Sequence, residues 1–252
     1  MLTFAPRHAP LVALLTAALW LLPAATPRAG TASSLAALPP TMLWAWERHE
    51  DLRWLPSTVG VAYVAITLEL TAGQVRLRPR AYRLLVRPET VVVPVVHVDA
   101  SWRQPPALDA AQHEAIAAQV LKAARGARSR VVQLDFEVRR SQRGFLLALV
   151  GDLRRRLPAD VALSVTALAS WCAGDYWIGA LEADEVVPMA FRMARDDGKI
   201  RGLLAEQGGF VRPRCRGALG MATDEAPVRV ASARRYFFSP RSWDQDTWRR
   251  IQ

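Results

Sequence analysis

The stretch "VVQLDFEVRRSQRGF", residues 131–145, carries two carboxylates, Asp135 and Glu137, at the end of an otherwise apolar run. Alternate residues of a strand share one face and lie about 7 Å apart along it, close enough for each carboxylate to feel the other's charge. Repulsion then lets one hold a proton near neutral pH while its neighbour stays ionised. General acid and base catalysis uses that division of labour, and cleavage of a glycosidic bond is the reaction that most needs it. A structural role competes with this: Arg139, Arg140 and Arg143 follow directly, and pairing with any of them would make the acids an anchor for the loop.

The same parity places Val131, Gln133, Asp135 and Glu137 on one face and Val132, Leu134 and Phe136 on the other. The apolar face suits covering helices, and the polar one suits a barrel interior whose polarity rises toward the C-terminal end of the strand, where barrel enzymes carry their sites. In "VVVPVVHVD", residues 91–99, His97 and Asp99 stand above Val91, Val93 and Val95; in "VGVAYVAITL", residues 59–68, Tyr63 and Thr67 share a face. If the three strands line one barrel, Tyr63, His97, Asp99, Asp135 and Glu137 converge above an apolar floor. Nine tryptophans are many for this length, and Trp44, Trp46, Trp171 and Trp177 fall at or just after strand ends, where flat rings could stack on sugars; each ring taken singly better suits packing, but as a group they point toward carbohydrate. Ser164, Thr166 and Ser170 share a strand face without the strand-turn-helix elbow of a hydrolase serine. Parity alone does not make His97, Asp99 and Asp135 a metal site, so no metal and no cofactor is expected.

Eight apolar or alternating runs read as strands: 43–47, 59–68, 91–99, 131–137, 162–170, 185–191, 215–221 and 235–239. Helical spacing predicts helices over 108–125 and over 141–157, the latter with Ser141 as N-cap, and weaker ones over 200–206 and 243–251. Alternation of this kind predicts a (β/α)8 TIM-type barrel, trimmed or irregular in its first third because "QVRLRPRAYRLLV" reads as a hairpin or extra strand. An open doubly wound α/β sheet is the alternative.

The 252 residues, 51% hydrophobic, support one domain, expected over 43–252 after a linker at 26–42. Before it, Arg7 and His8 precede an apolar run from Leu11 to Leu22 and the small-residue end Pro23-Ala24-Ala25, a signal peptide over 1–25. A periplasmic or secreted protein is expected, meeting a membrane only if that segment is uncleaved. Two cysteines, Cys172 and Cys215, could pair in an oxidising compartment, but their spacing says nothing about connectivity, and buried free thiols are the preferred expectation. The charge of +10 comes almost entirely from arginines scattered in ones and twos, a solvated surface rather than a nucleic-acid footprint. The expected partner is a polysaccharide or other glycan, with no nucleic acid, and the protein is expected to be a monomer.

"LWAWERHEDLRWLP", "VVQLDFEVRRSQRGFLLALVGDLRRRLP", "LSVTALASWCAGDYW" and "DEVVPMAFRM" together resemble the bacterial family called domain of unknown function 3142, from Trp44 to Met193. More distantly, Asp135-Phe136-Glu137 resembles the D-x-E that ends the fourth strand of chitinase-like glycosidase barrels. That resemblance implies Glu137 as the general acid and Asp135 as the residue that orients the substrate's acetamido group. Met189-Ala190-Phe191-Arg192 matches that family's M-x-Y-D only in part, with Phe for Tyr and Arg for Asp, and Val131 and Gln133 stand where its upstream aspartate would fall. Strand parity, the tryptophans, the N-terminal segment and this resemblance together lead to the expectation of an exported glycosidase-like protein that acts on an envelope or extracellular polysaccharide by general acid and base chemistry, with Tyr63, His97, Asp99, Trp44, Trp46, Trp171 and Arg192 as substrate contacts. The alternative is a non-catalytic carbohydrate-binding or envelope scaffold protein on a degenerate barrel.

Overall fold

The computed structural model describes residues 29–252; the signal segment expected over 1–25 lies outside the described residues. Eight parallel strands close into a barrel: β1 (Thr41–Ala45), β2 (Val59–Thr71), β3 (Val92–Ala100), β4 (Val131–Phe136), β5 (Ala162–Leu168), β6 (Glu185–Met189), β7 (Ala218–Ala222) and β8 (Arg234–Phe238). β1 closes the ring, pairing with β2 at Thr41↔Val59 and with β8 at Thr41↔Arg235. The fold is a TIM-type (β/α)8 barrel, and the open sheet is excluded because its two edges would have to remain unpaired. Each expected strand became a barrel strand, shifted at its ends by up to a few residues.

Period-2 alternation separates two apolar shells. Val132, Leu134 and Phe136 of β4 point outward to the helices, while Val131, Val93, Val95, Ala62, Val64 and Val187 fill the barrel interior. The outer shell receives α2 (Ala110–Gly126) through Ile116, Ala117, Val120 and Ala124, and α3 (Arg143–Arg156) through Leu146, Leu149, Val150 and Leu153. Asp109 caps α2 by accepting from the Gln112 amide at 2.9 Å. Ser141 does not cap α3: it lies inside a 3-10 turn, Arg140–Gln142, and the Gln142 side chain accepts from the Arg139 amide instead.

The first third of the barrel is irregular, as expected. No α-helix joins β1 to β2, and the β2–β3 connection begins with a strand, Gln74–Pro79, that turns back antiparallel on β2. A two-stranded sheet of Glu50–Asp51 with Leu84–Leu85 covers the side that the missing helices leave. It is joined there by Trp243, whose amide donates to the buried Glu50 carboxyl at 2.8 Å. The segment 26–42, expected as a linker, contains α1 (Ala29–Ala36) and the start of β1, because its apolar Leu35 and Leu38 close the N-terminal end of the barrel.

Below the site the interior is polar as well as apolar. Trp44 Nε1 donates to Gln133 at 2.7 Å, Gln133 to Ser164 at 3.0 Å, and Ser164 to Glu185 at 2.7 Å. Glu185 also accepts from Tyr236 at 2.9 Å and forms a buried ion pair with Arg234. Arg234 in turn donates to the Leu35 and Pro39 carbonyls, locking α1 onto the barrel floor. Gly220 of β7 is required by close approach, since a Cβ there would stand 3.1 Å from the Phe238 ring and 3.3 Å from the Met189 Cα.

Cys172, in α4 (Ala169–Ala173), and Cys215, in a 3-10 turn before β7, form a disulfide with Cα atoms 6.0 Å apart. This corrects the expectation of free thiols: the fold brings α4, after β5, against the turn before β7 and joins two buried positions that sequence spacing does not relate. After β6, α5 (Asp197–Gln207) returns the chain, and α6 (Gln245–Arg250) follows β8.

Candidate functional site

Register assembles the site at the C-terminal end of the barrel. Thr67, His97 and Asp135 are lateral neighbours on β2, β3 and β4, and Thr166 follows on β5 by the register Leu134↔Val165. Asp135 is buried; its Oδ1 accepts from Thr166 Oγ1 at 2.5 Å and its Oδ2 pairs with His97 Nδ1 at 2.7 Å. Its partners are thus not the following arginines. Arg143 pairs with Asp175, and Arg139 and Arg140 are exposed.

Glu137 stands just past the end of β4, two positions above Asp135, in the wall of an open pocket of about 350 Å³. Its side chain reaches solvent and makes no hydrogen bond or ion pair among the described residues. Protein packed around the carboxyl pushes its pKa up, the nearby Asp135 charge pushes it further, and His97 opposes the shift without cancelling it. For His97, burial lowers the pKa, but the Asp135 hydrogen bond, with Asp135, Asp99 and Glu137 as nearby negative charges, outweighs burial and leaves it raised. The pair of carboxyls therefore differs in environment, one hydrogen-bonded and enclosed, the other unpaired and favouring its proton.

Apolar and aromatic groups supply much of the pocket wall, among them Trp46, Leu168, Met189, Phe191 and Phe238. Trp46 also packs edge-on against His97, with centroids 5.6 Å apart. Arg192 also lines the pocket, at φ 53°, its guanidinium held by Asp224 at 2.7 Å and Glu225 at 2.6 Å. Glu225 reaches back to Arg201 on α5 as well, so ion pairs tie the loops after β6 and β7 together.

Of the expected contacts, His97, Trp46 and Arg192 gather with Asp135 and Glu137 around the barrel mouth, while four others do not. Tyr63 faces the outer shell: a bulge between Val64 and Ile66 reverses the parity of β2, so Thr67 points inward although Tyr63 points outward. Trp44 is fully buried inside the barrel, beneath Trp46 at 4.4 Å and stacked on Phe238 at 4.9 Å, where no sugar reaches it. Trp171 belongs to α4 rather than to β5, and its ring packs on Trp177 at 4.9 Å in the outer shell. Asp99 is exposed above His97, next to Glu69 in register, and is not part of the pocket wall. Among the described residues no group of three or more potential ligands is placed to hold a metal.

Thr166 is the site residue that sequence reasoning undervalued; its only signal was a face shared with Ser164. Phe238 and Asp224 lie in other segments, and nothing local marked them as lining one pocket with Glu137.

Strand order, closure and a polar C-terminal mouth define a (β/α)8 barrel with one carboxylate-bearing site. Among solved structures the chain is similar to a GH18 chitinase from Pseudoalteromonas aurantia, at 12% identity over 79% of this chain and 94% of that one, with TM-score 0.50. It is also similar to the Bacillus cereus spore cortex-lytic enzyme SleL, at 16% identity, 73% and 51% coverage and TM-score 0.48. An endo-beta-N-acetylglucosaminidase from Cordyceps militaris matches at 8% identity, 88% and 92% coverage and TM-score 0.43. The chain thus spans about half the length of the Bacillus cereus enzyme. Identities this low establish a shared fold only. No family model and no curated protein matches the chain, so the resemblance to domain of unknown function 3142 gains no support from those comparisons.

Proposed function

We propose that this protein is an exported glycosidase-like barrel acting on an envelope or extracellular polysaccharide, with Glu137 as the general acid. The observation that carries the reading is Glu137 itself: an unpaired carboxyl with a raised pKa, at the C-terminal mouth of the barrel, beside an open pocket walled by aromatic rings. A carboxyl that keeps its proton to higher pH than an ordinary glutamate is better fitted to protonate a leaving glycosidic oxygen, and Trp46 and Phe191 offer flat apolar faces to a sugar ring. Export, to the periplasm or beyond, is supported by the Cys172–Cys215 disulfide, a bond that persists in oxidising compartments.

The alternative, a non-catalytic glycan-binding or scaffold protein, draws on Arg192, which stands where the chitinase-like motif has an aspartate and is already neutralised by two carboxylates. Glu137→Gln separates the two. Turnover of a glycan should fall by about a hundredfold or more, the size of a lost general acid, with binding and melting temperature near wild type. Undiminished turnover per folded molecule would refute the assignment of Glu137 as the acid, and binding without turnover in the wild type favours the alternative.

A further inference from the structure

In the chitinase-like motif the aspartate two residues before the acid engages the sugar's acetamido group, which requires a carboxylate oxygen facing the substrate. Both oxygens of Asp135 are occupied from the protein side, Oδ1 by Thr166 at 2.5 Å and Oδ2 by His97 at 2.7 Å, and its side chain is only 7% exposed. The position below it on the same face carries no second carboxylate. Gln133 stands there, its amide bound to Trp44 and Ser164. Trp46 packs against His97 and belongs to the pocket wall, whereas neither His97 nor Asp135 does.

Resting on the glycan reading above, we infer that Asp135 is a positioning residue that makes no contact with the sugar. The site consequently takes glycans bearing a hydroxyl or a free amine at C2 as readily as N-acetylated ones. Thr166, Asp135 and His97 form a closed set whose charge acts on Glu137 through the protein. The charged groups that face His97 in turn are Asp135, Asp99 and Glu137.

The test measures binding of the full chain to three matched β-1,4 tetrasaccharides, of glucose, glucosamine and N-acetylglucosamine, by calorimetry. Dissociation constants within about threefold of one another are expected, with the ratio unchanged in Asp135→Asn. A preference of about tenfold or more for the N-acetylated ligand that Asp135→Asn abolishes would overturn the inference. Should none of the three bind, the glycan reading fails, and this inference fails with it. Carboxyl NMR on the ligand-free protein tests positioning separately: Asp135→Asn should move the Glu137 titration to lower pH, and an unmoved titration counts against a positioning role. Thr166→Val is isosteric and frees Oδ1, so it should raise the relative affinity for the N-acetylated ligand and can be read even where Asp135→Asn folds poorly; no rise would count against the occupancy argument.

Discussion

Replacing Arg234 by methionine should destabilise this barrel more than any substitution at its mouth. Arg234 and its partner Glu185 are 7% and 6% exposed, inside the N-terminal end of the barrel. Removing the guanidinium leaves the Glu185 carboxylate with only Ser164 and Tyr236 as donors, strips the Pro39 carbonyl of its arginine donor, and leaves the Leu35 carbonyl with the Leu38 amide alone. Breaking a buried ion pair by removing one partner costs about 3–5 kcal/mol, most of it the penalty of the charge left behind. For a chain of this size that corresponds to a fall in melting temperature of roughly 6–20 °C. Glu185→Gln should cost less, about 1–3 kcal/mol, since the arginine keeps its backbone acceptors and the amide oxygen still accepts. The double variant should cost clearly less than the sum of the singles, because no charge remains unpaired. Urea unfolding of the four proteins, with the disulfide intact, measures each term. A loss below about 1 kcal/mol for Arg234→Met, or strict additivity in the cycle, would refute the view that this pair holds α1 and the barrel floor together.

Three further outcomes are expected. The disulfide closes a separation of 43 residues, so reducing it should lower stability by up to about 4 kcal/mol on the chain-entropy relation, read as a lower urea midpoint in the presence of reductant. Trp46→Ala should weaken glycan binding by about tenfold or more, whereas Tyr63→Phe and Trp171→Phe, both facing the outer shell, should leave the dissociation constant within about twofold; calorimetry on all three checks which rings meet ligand. His97 has a folded pKa raised above its ordinary 6.5, so the stability it contributes is complete below pH 6.5 and is lost as pH rises through the folded value; His97→Gln should flatten that slope in a series of unfolding midpoints.

Alternating hydrophobicity made the strands legible because strand faces repeat every two residues whatever the strand pairs with. For β4 that local rule gave the right answer throughout, with Val132, Leu134 and Phe136 outside and Asp135 inside below Glu137. On β2 it failed at one residue, since a bulge between Val64 and Ile66 leaves no mark in the pattern yet turns Tyr63 away from the site. It failed again after Leu168, where the chain enters α4 and carries Trp171 into the outer shell.

By itself the sequence determined the alternation of elements, the polar ends of the third and fourth strands and the presence of an acidic pair. These follow from side-chain polarity and backbone periodicity within a few residues. Only the tertiary structure decided what those acids meet. Register placed His97 and Thr166 on either side of Asp135, left Glu137 unpaired beside Trp46, and buried Trp44 beneath it. It also joined Cys172 to Cys215 and set Arg234 against Glu185. Pairing between distant strands depends on how the whole ring closes, and no single segment of the chain carries that information.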